Sequence, residues 1–278
     1  MKKWFIWCVI VGFALMVAVG VAIKGDEKSV MPNTVQHTQP PTTTPPPAST
    51  TTPTPTTTTP PTSTTTLPRI SDLFPDYEIE GKLKYAYGDL PKGYVGMVRC
   101  AKHLTFYYIY KEDGSIAKVP WDSLVLREVT NTTLPVACQS EIERAVKERG
   151  WQSETPYLLW TSLARLETYL FHFEGGKWTL VRRMKCSAGN LEHPTPADVY
   201  FVEQKIPYFG KEGAYRCMYA TGFYGNYMYH SVLYDDKGEQ IIDGRLGERI
   251  SNGCIRLSTA DSRFLYEEIP HRTAVYVQ

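Results

Sequence analysis

The sequence predicts a mainly β protein with one late helix, preceded by a Thr/Pro-rich stalk and an apolar N-terminal segment. Three observations carry that prediction. From Arg69 onward, short apolar runs recur between turn signals, which is the spacing of strands. The 19 tyrosines, 10 phenylalanines and 6 tryptophans are concentrated in the C-terminal two-thirds, where they supply material for a core. Near the end, Ser258 and Asp261 form a capping pattern that opens a helix. With 30 basic and 29 acidic side chains the net charge is +1, and no basic stripe is interleaved with aromatics. That balance excludes an electrostatic case for nucleic acid.

Residues 1–30 read as a membrane anchor and its flank. Lys2 and Lys3 precede an uncharged run from Trp4 to Ile23. At about 1.5 Å per residue this run spans roughly 30 Å, the thickness of a bilayer core. The leading lysines stay on the cytoplasmic side, so the expectation is a single-pass protein in the cell membrane with everything after Ile23 outside. A cleaved signal peptide is the alternative, with Gly20 to Ala22 as its small-residue site. Residues 31–68 are dominated by threonine and proline and lack aromatics, so they cannot bury enough surface to pack. Their expected conformation is extended polyproline, reaching on the order of 100 Å at about 3.1 Å per residue.

Residues 69–146 read as a small β-rich module of unknown role. Tyr94 to Val98, Leu104 to Tyr110 and Leu124 to Leu126 are its candidate strands, and Glu112-Asp113-Gly114 is one of its turns. Asn131-Thr132-Thr133 matches a glycosylation acceptor. Ser140 to Arg149 reads as a short helix. Residues 147–278 then form the second domain. Tyr157 to Trp160 is a strand, and Leu166 to Phe173 with Trp178 to Met184 makes a hairpin through Gly175-Gly176. Val199 to Val202, Tyr215 to Tyr219 and Tyr227 to Tyr234 are further strands. Asp235-Asp236-Lys237-Gly238 turns the chain into Gln240 to Ile242. The late helix runs from Ser258 to about Glu268, stops before Pro270, and Ala274 to Val277 closes the domain.

Six cysteines are present, one of them (Cys8) in the apolar run. Outside the cell, Cys100 can pair with Cys138 and Cys186 with Cys217, although sequence alone does not determine connectivity. Cys254 is then the odd thiol. No pair has the close spacing of a zinc site, so no metal is expected.

Cys254 lies in Ser251-Asn252-Gly253-Cys254-Ile255-Arg256. A cysteine nucleophile needs a thiolate, donors for a developing oxyanion, and a nearby base. Gly253 permits a tight turn in which backbone N–H groups converge. Arg256, two residues on, shares a face with Cys254 on extended chain, where it would lower the thiol pKa or hold a substrate carboxylate. A buried structural cysteine is the competing reading. His230 supplies a base with an ordinary pKa of about 6.5. His37 falls in the stalk, His103 in the first module and His172 in a hairpin strand, while His193 and His271 sit in loop-like segments.

The ordered set His230-Ser231-Val232-Leu233-Tyr234, Asp243-Gly244-Arg245-Leu246-Gly247 and Ser251-Asn252-Gly253-Cys254-Ile255-Arg256-Leu257 resembles the YkuD-type L,D-transpeptidase catalytic domain. Cys186-Ser187-Ala188-Gly189 and Thr195-Pro196 are similar to upstream segments of that family, and the resemblance covers roughly residues 155–278. Asn252 stands where the family often has histidine, Asp198 where glycine is common, and Ser231 where glycine commonly follows the histidine. The resemblance implies an L,D-transpeptidase-like β-sandwich and a peptidoglycan cross-linking enzyme without a cofactor. Cys254 would be its nucleophile and His230 its base. Gly253 and Cys254 would offer oxyanion N–H groups, Ser251 and Asn252 would support the turn, and Arg256 would fix geometry or contact substrate. Its partners would be donor and acceptor stem peptides, with carbapenem-type β-lactams acylating Cys254. If water resolves the thioester, the same site is an L,D-carboxypeptidase. A sortase-like cysteine transpeptidase and a non-catalytic wall-binding protein are the alternatives from other classes. The sortase pattern Thr-Leu-x-Thr-Cys is absent.

Overall fold

The computed structural model describes residues 67–100, 106–130 and 133–278. The apolar run Trp4–Ile23, the stalk up to Thr66 and most of the Asn131-Thr132-Thr133 acceptor lie outside the described residues. Among those described, no helix is long and apolar enough to cross a membrane.

The first sheet comprises β1 (Ile79–Leu83), β2 (Val95–Cys100), β3 (Phe106–Tyr110), β4 (Ile116–Pro120) and β5 (Leu124–Glu128), in the order β4-β3-β2-β1-β5. All of its pairs are antiparallel. Alternate residues face inward, so Ile79, Leu83, Val98, Tyr107, Ile109, Val119 and Leu124 make a core of their own. A short helix α1 (Ile70–Leu73) precedes this sheet and α2 (Gln139–Arg149) follows it. Cys138 stands at the N-cap of α2, where the Glu141 carboxylate accepts its backbone N–H at 2.8 Å. Gly150 ends the helix in the left-handed region.

Most of the remaining strands form two further sheets that share one core. The first contains β6 (Tyr157–Ser162), β7 (Glu167–Glu174), β8 (Lys177–Lys185), β10 (Asp198–Phe201) and β18 (Ala274–Val277), ordered β10-β18-β6-β7-β8. The hairpin β7–β8 turns at Gly175 and Gly176, both at positive φ, as its two-residue turn requires. The second contains β11 (Gln204–Lys211), β12 (Tyr215–Tyr224), β13 (Tyr227–His230), β14 (Leu233–Tyr234), β15 (Ile241–Asp243) and β17 (Ile255–Arg256). A two-strand patch joins β9 (Ala188–Gly189) to β16 (Arg249–Ser251). Leu159, Leu170 and Val275 from one sheet pack with Phe223, Tyr229 and Ile255 from the other, under Leu265 of α3 (Thr259–Glu268). Across this core the Thr161 and Tyr229 hydroxyls lie 2.8 Å apart in a buried hydrogen bond.

The opposite face of β6–β8 is covered by α1 and α2, through Ile70, Leu73, Phe74, Ile142 and Val146 against Leu158, Trp160, Tyr169 and Phe171. Being buried on both faces explains why β6 reads as a continuous apolar run rather than an alternating one. It also means that both helices pack on the second domain, although the sequence boundary at 146/147 cuts through α2.

Two expectations change. The stretch Tyr227 to Tyr234 is not one strand. It breaks at Ser231, whose hydroxyl accepts the Met218 N–H at 2.8 Å opposite Tyr219, a residue at φ +54°. Nor is there a Cys186–Cys217 disulfide: both thiols are free and buried, one in the core between the sheets and the other on β12. Burial pushes both up to about 12. Cys138 is also a free thiol, spent on the N-cap of α2.

Candidate active site

The site is built where β13 and β17 run side by side. They pair in parallel, Tyr229 with Ile255 and His230 with Arg256. One residue before β17, Cys254 falls opposite Met228, whose backbone N–H hydrogen-bonds the sulfur. Because successive side chains alternate between faces, Tyr229 and Ile255 enter the core while Met228, His230, Cys254 and Arg256 share the other face. This places the nucleophile and the base named from sequence on one surface.

His230 is buried, and its Nδ1 lies 2.7 Å from the Ser231 carbonyl oxygen. A carbonyl only accepts, so Nδ1 carries the proton and Nε2 is left as the basic lone pair. The Phe209 ring meets the imidazole edge-on, 5.2 Å between centroids. Burial first, then the Arg256 charge, pull the imidazole down to about 4, partly offset by the bond to Ser231. The Cys254 thiol is held above its ordinary value by desolvation, which the Met228 N–H offsets in part. It donates to the Asn226 carbonyl oxygen at 3.4 Å. At rest, then, the two groups are a neutral thiol and a neutral imidazole, and the side chain must turn from Asn226 before the imidazole can take its proton.

The turn before Cys254 is held from both sides. Ser251 Oγ donates to the Cys254 carbonyl at 2.5 Å and accepts the Gly253 N–H at 3.2 Å. Thr195 Oγ1 accepts the Gly189 N–H at 2.9 Å and donates to the Gly253 carbonyl at 2.8 Å. The Gly253 N–H is therefore engaged by Ser251. Among the described residues, no hydrogen bond takes the Cys254 N–H, which is the stronger oxyanion candidate. Asn252 is exposed at the tip.

Arg256 does not sit as an open substrate contact. Its side chain is 5% exposed and forms an ion pair with Asp243 of β15 at 3.0 Å. Its charge acts on His230 and on Cys217, not on the Cys254 thiol. Hydrogen bonds from Arg245 chiefly, and also the Arg256 charge, hold the Asp243 carboxyl far below the usual range. Asp243→Asn is expected to leave a buried guanidinium without its counter-charge and to cost about 3–5 kcal/mol. Thermal melting checks this, and an unchanged midpoint would refute it.

Sequence reasoning missed Asn226 and Met228 as site members because they act through backbone groups that any residue carries. It quoted Thr195 and Asp243 without giving them roles. His193 and His271 are exposed, and His172 packs on Tyr157.

Residues 156–277 match the family model of the L,D-transpeptidase catalytic domain, YkuD. The matched segment runs from the start of β6 to the end of β18 and contains both His230 and Cys254. A protein of Bacillus subtilis (strain 168) named for L,D-transpeptidases, YciB, is 33% identical over 89 residues, covering 30% of this chain and 46% of that relative. The chain thus spans less than half of that relative's length. Among solved structures, a fused amidase/peptidase/peptidoglycan-binding-domain protein from Clostridium acetobutylicum ATCC 824 aligns at 27% identity, over 50% of this chain and 59% of that one, with a TM-score of 0.44. The L,D-transpeptidase from Stackebrandtia nassauensis aligns at 19% identity over 46% and 58%, TM-score 0.36. L,D-transpeptidase 3 from Mycobacterium tuberculosis, solved with a faropenem-derived adduct, aligns at 19% identity over 44% and 60%, TM-score 0.32.

Proposed function

We propose that the chain is a peptidoglycan L,D-transpeptidase working through a Cys254 thioester. The observation that carries this reading is the parallel pairing of β13 with β17, which sets His230 and Cys254 on one face within the matched family segment. Cys254 Sγ attacks the carbonyl between the third stem residue and the terminal D-alanine as His230 Nε2 takes the thiol proton. The Cys254 N–H meets the oxyanion. The C–N bond breaks, the D-alanine amine leaves with the proton from His230, and an acyl thioester remains. The amine of a second stem then attacks the thioester, loses its proton to His230 and expels the thiolate, which is reprotonated. With water as the attacking group the products are those of an L,D-carboxypeptidase. The run Trp4–Ile23 supports membrane anchoring with the catalytic domain on the wall side.

A carbapenem tests the reading because its strained carbonyl stands in for the scissile amide. Incubation of the full chain is expected to add one carbapenem mass, located at Cys254 by peptide mapping and absent in Cys254→Ala. A folded, reduced protein that stays unmodified would overturn the reading and favour a sortase-like or non-catalytic wall protein.

A further inference from the structure

Two ties run from the β1–β5 sheet to the turn that carries Cys254. The first is Arg249, at the start of β16. Its Nε pairs with Glu128 Oε1 of β5 at 3.0 Å, and its Nη2 donates to the Leu163 carbonyl at 2.8 Å. Its guanidinium carbon lies 3.7 Å from the centre of the Tyr77 ring. The side chain is only 11% exposed. Two residues later β16 reaches Ser251, whose hydroxyl binds both the Gly253 N–H and the Cys254 carbonyl. The second tie is Leu191, which packs against the core of the β1–β5 sheet. It lies in the loop where the Asn190 N–H donates to the Ser251 carbonyl at 3.0 Å and Thr195 Oγ1 donates to the Gly253 carbonyl.

We infer that the β1–β5 sheet is part of the catalytic apparatus, setting the position of the Cys254 turn through Arg249 as a positioning residue seated on Glu128 and Tyr77. Nothing in this role requires the sheet to touch substrate. The chemistry of the seat favours it over plain adhesion between two cores. Arg249 Nη1 and the Tyr77 hydroxyl are buried with no hydrogen-bond partner, a cost that an apolar contact of the same size would avoid. What the polar seat adds is direction: a planar fork held at Glu128 and at Leu163 fixes where β16 begins, which a greasy contact would not.

The test uses the full chain with Glu128→Gln, Arg249→Lys and the swap Glu128→Arg/Arg249→Glu. It rests on the transpeptidase reading for one readout, the rate of carbapenem acylation at saturating and sub-saturating concentration. Glu128→Gln and Arg249→Lys are expected to lower the maximal rate by about 10- to 100-fold, with the half-saturating concentration changed less than about twofold. Alkylation by iodoacetamide, which needs the thiolate but no oxyanion donor, falls much less than acylation does. The swap recovers part of the loss. Variants that acylate like wild type, or whose deficit only follows their loss of thermal stability, overturn the inference. Hydrogen exchange over Ser251–Arg256 separates it from the transpeptidase reading. If the wild-type chain is never acylated, that reading fails. Faster exchange confined to this turn in the variants still upholds the positioning role, and unchanged exchange refutes it.

Discussion

Gly253→Ala is expected to cut acylation of Cys254 by at least about a hundredfold while leaving most of the fold in place. Gly253 sits at φ +102°, a region that side-chain-bearing residues rarely enter. A Cβ at that position would lie 2.4 Å from Cε1 of Tyr227, a ring packed in the core between the sheets. The ring has little room to retreat, so the turn must move instead. That turn sets the Cys254 N–H and the thiol relative to His230, and a displacement of about 1 Å at such a site can cost on the order of a hundredfold in rate. Steady-state acylation together with a thermal melt checks the claim. An active Gly253→Ala protein would show that the turn tolerates a shift that the geometry forbids.

The second large effect concerns His230. If it is the base of the proposed mechanism, its replacement by alanine lowers acylation by about 10²- to 10⁴-fold. The wild-type rate should hold steady as pH falls from 8 and decline only as the imidazole protonates near 4. The same group predicts how stability depends on pH. Above about 6.5 the side chain is neutral in both the folded and the unfolded chain. Between 6.5 and about 4 the unfolded chain takes up a proton that the folded one refuses, so stability falls as pH falls. At about 1.36 kcal/mol per pH unit, the contribution lost across that window is on the order of 3 kcal/mol. Denaturant melts of wild type and His230→Gln between pH 7 and 4 measure it. The variant should lose less stability over that range, and parallel curves would refute the assignment of the buried neutral imidazole.

How far the sequence discloses these features depends on what each residue contributes. The hairpin β7–β8, the cap at Ser258, where the Asp261 N–H donates to the side chain at 3.1 Å, and the closing strand β18 were readable because they depend on side-chain identity. Strand β11 was not, since it carries Pro207, has mostly exposed residues and pairs only with β12. The strands β9 and β16 are too short to show any period. At the candidate site, Cys254 and His230 stand out as chemical types within an ordered motif. The surroundings that set their charge state do not, because burial, the Asn226 carbonyl and the Met228 N–H leave no mark in composition. The burial of Arg256 was equally hidden: its partner Asp243 lies thirteen positions away, and only the β14–β15 hairpin brings the two together.

The neutral resting pair has a consequence for the protein's durability. Peroxides attack thiolates far faster than thiols, so a cysteine kept protonated by desolvation is a slow target for oxidation to sulfenic and sulfinic acids. In the proposed mechanism Cys254 becomes a thiolate only as it meets its carbonyl, and so spends little time in the vulnerable form. Shelter from oxidants and readiness for acyl transfer then come from the same burial, and opening the pocket to hasten the second would erode the first.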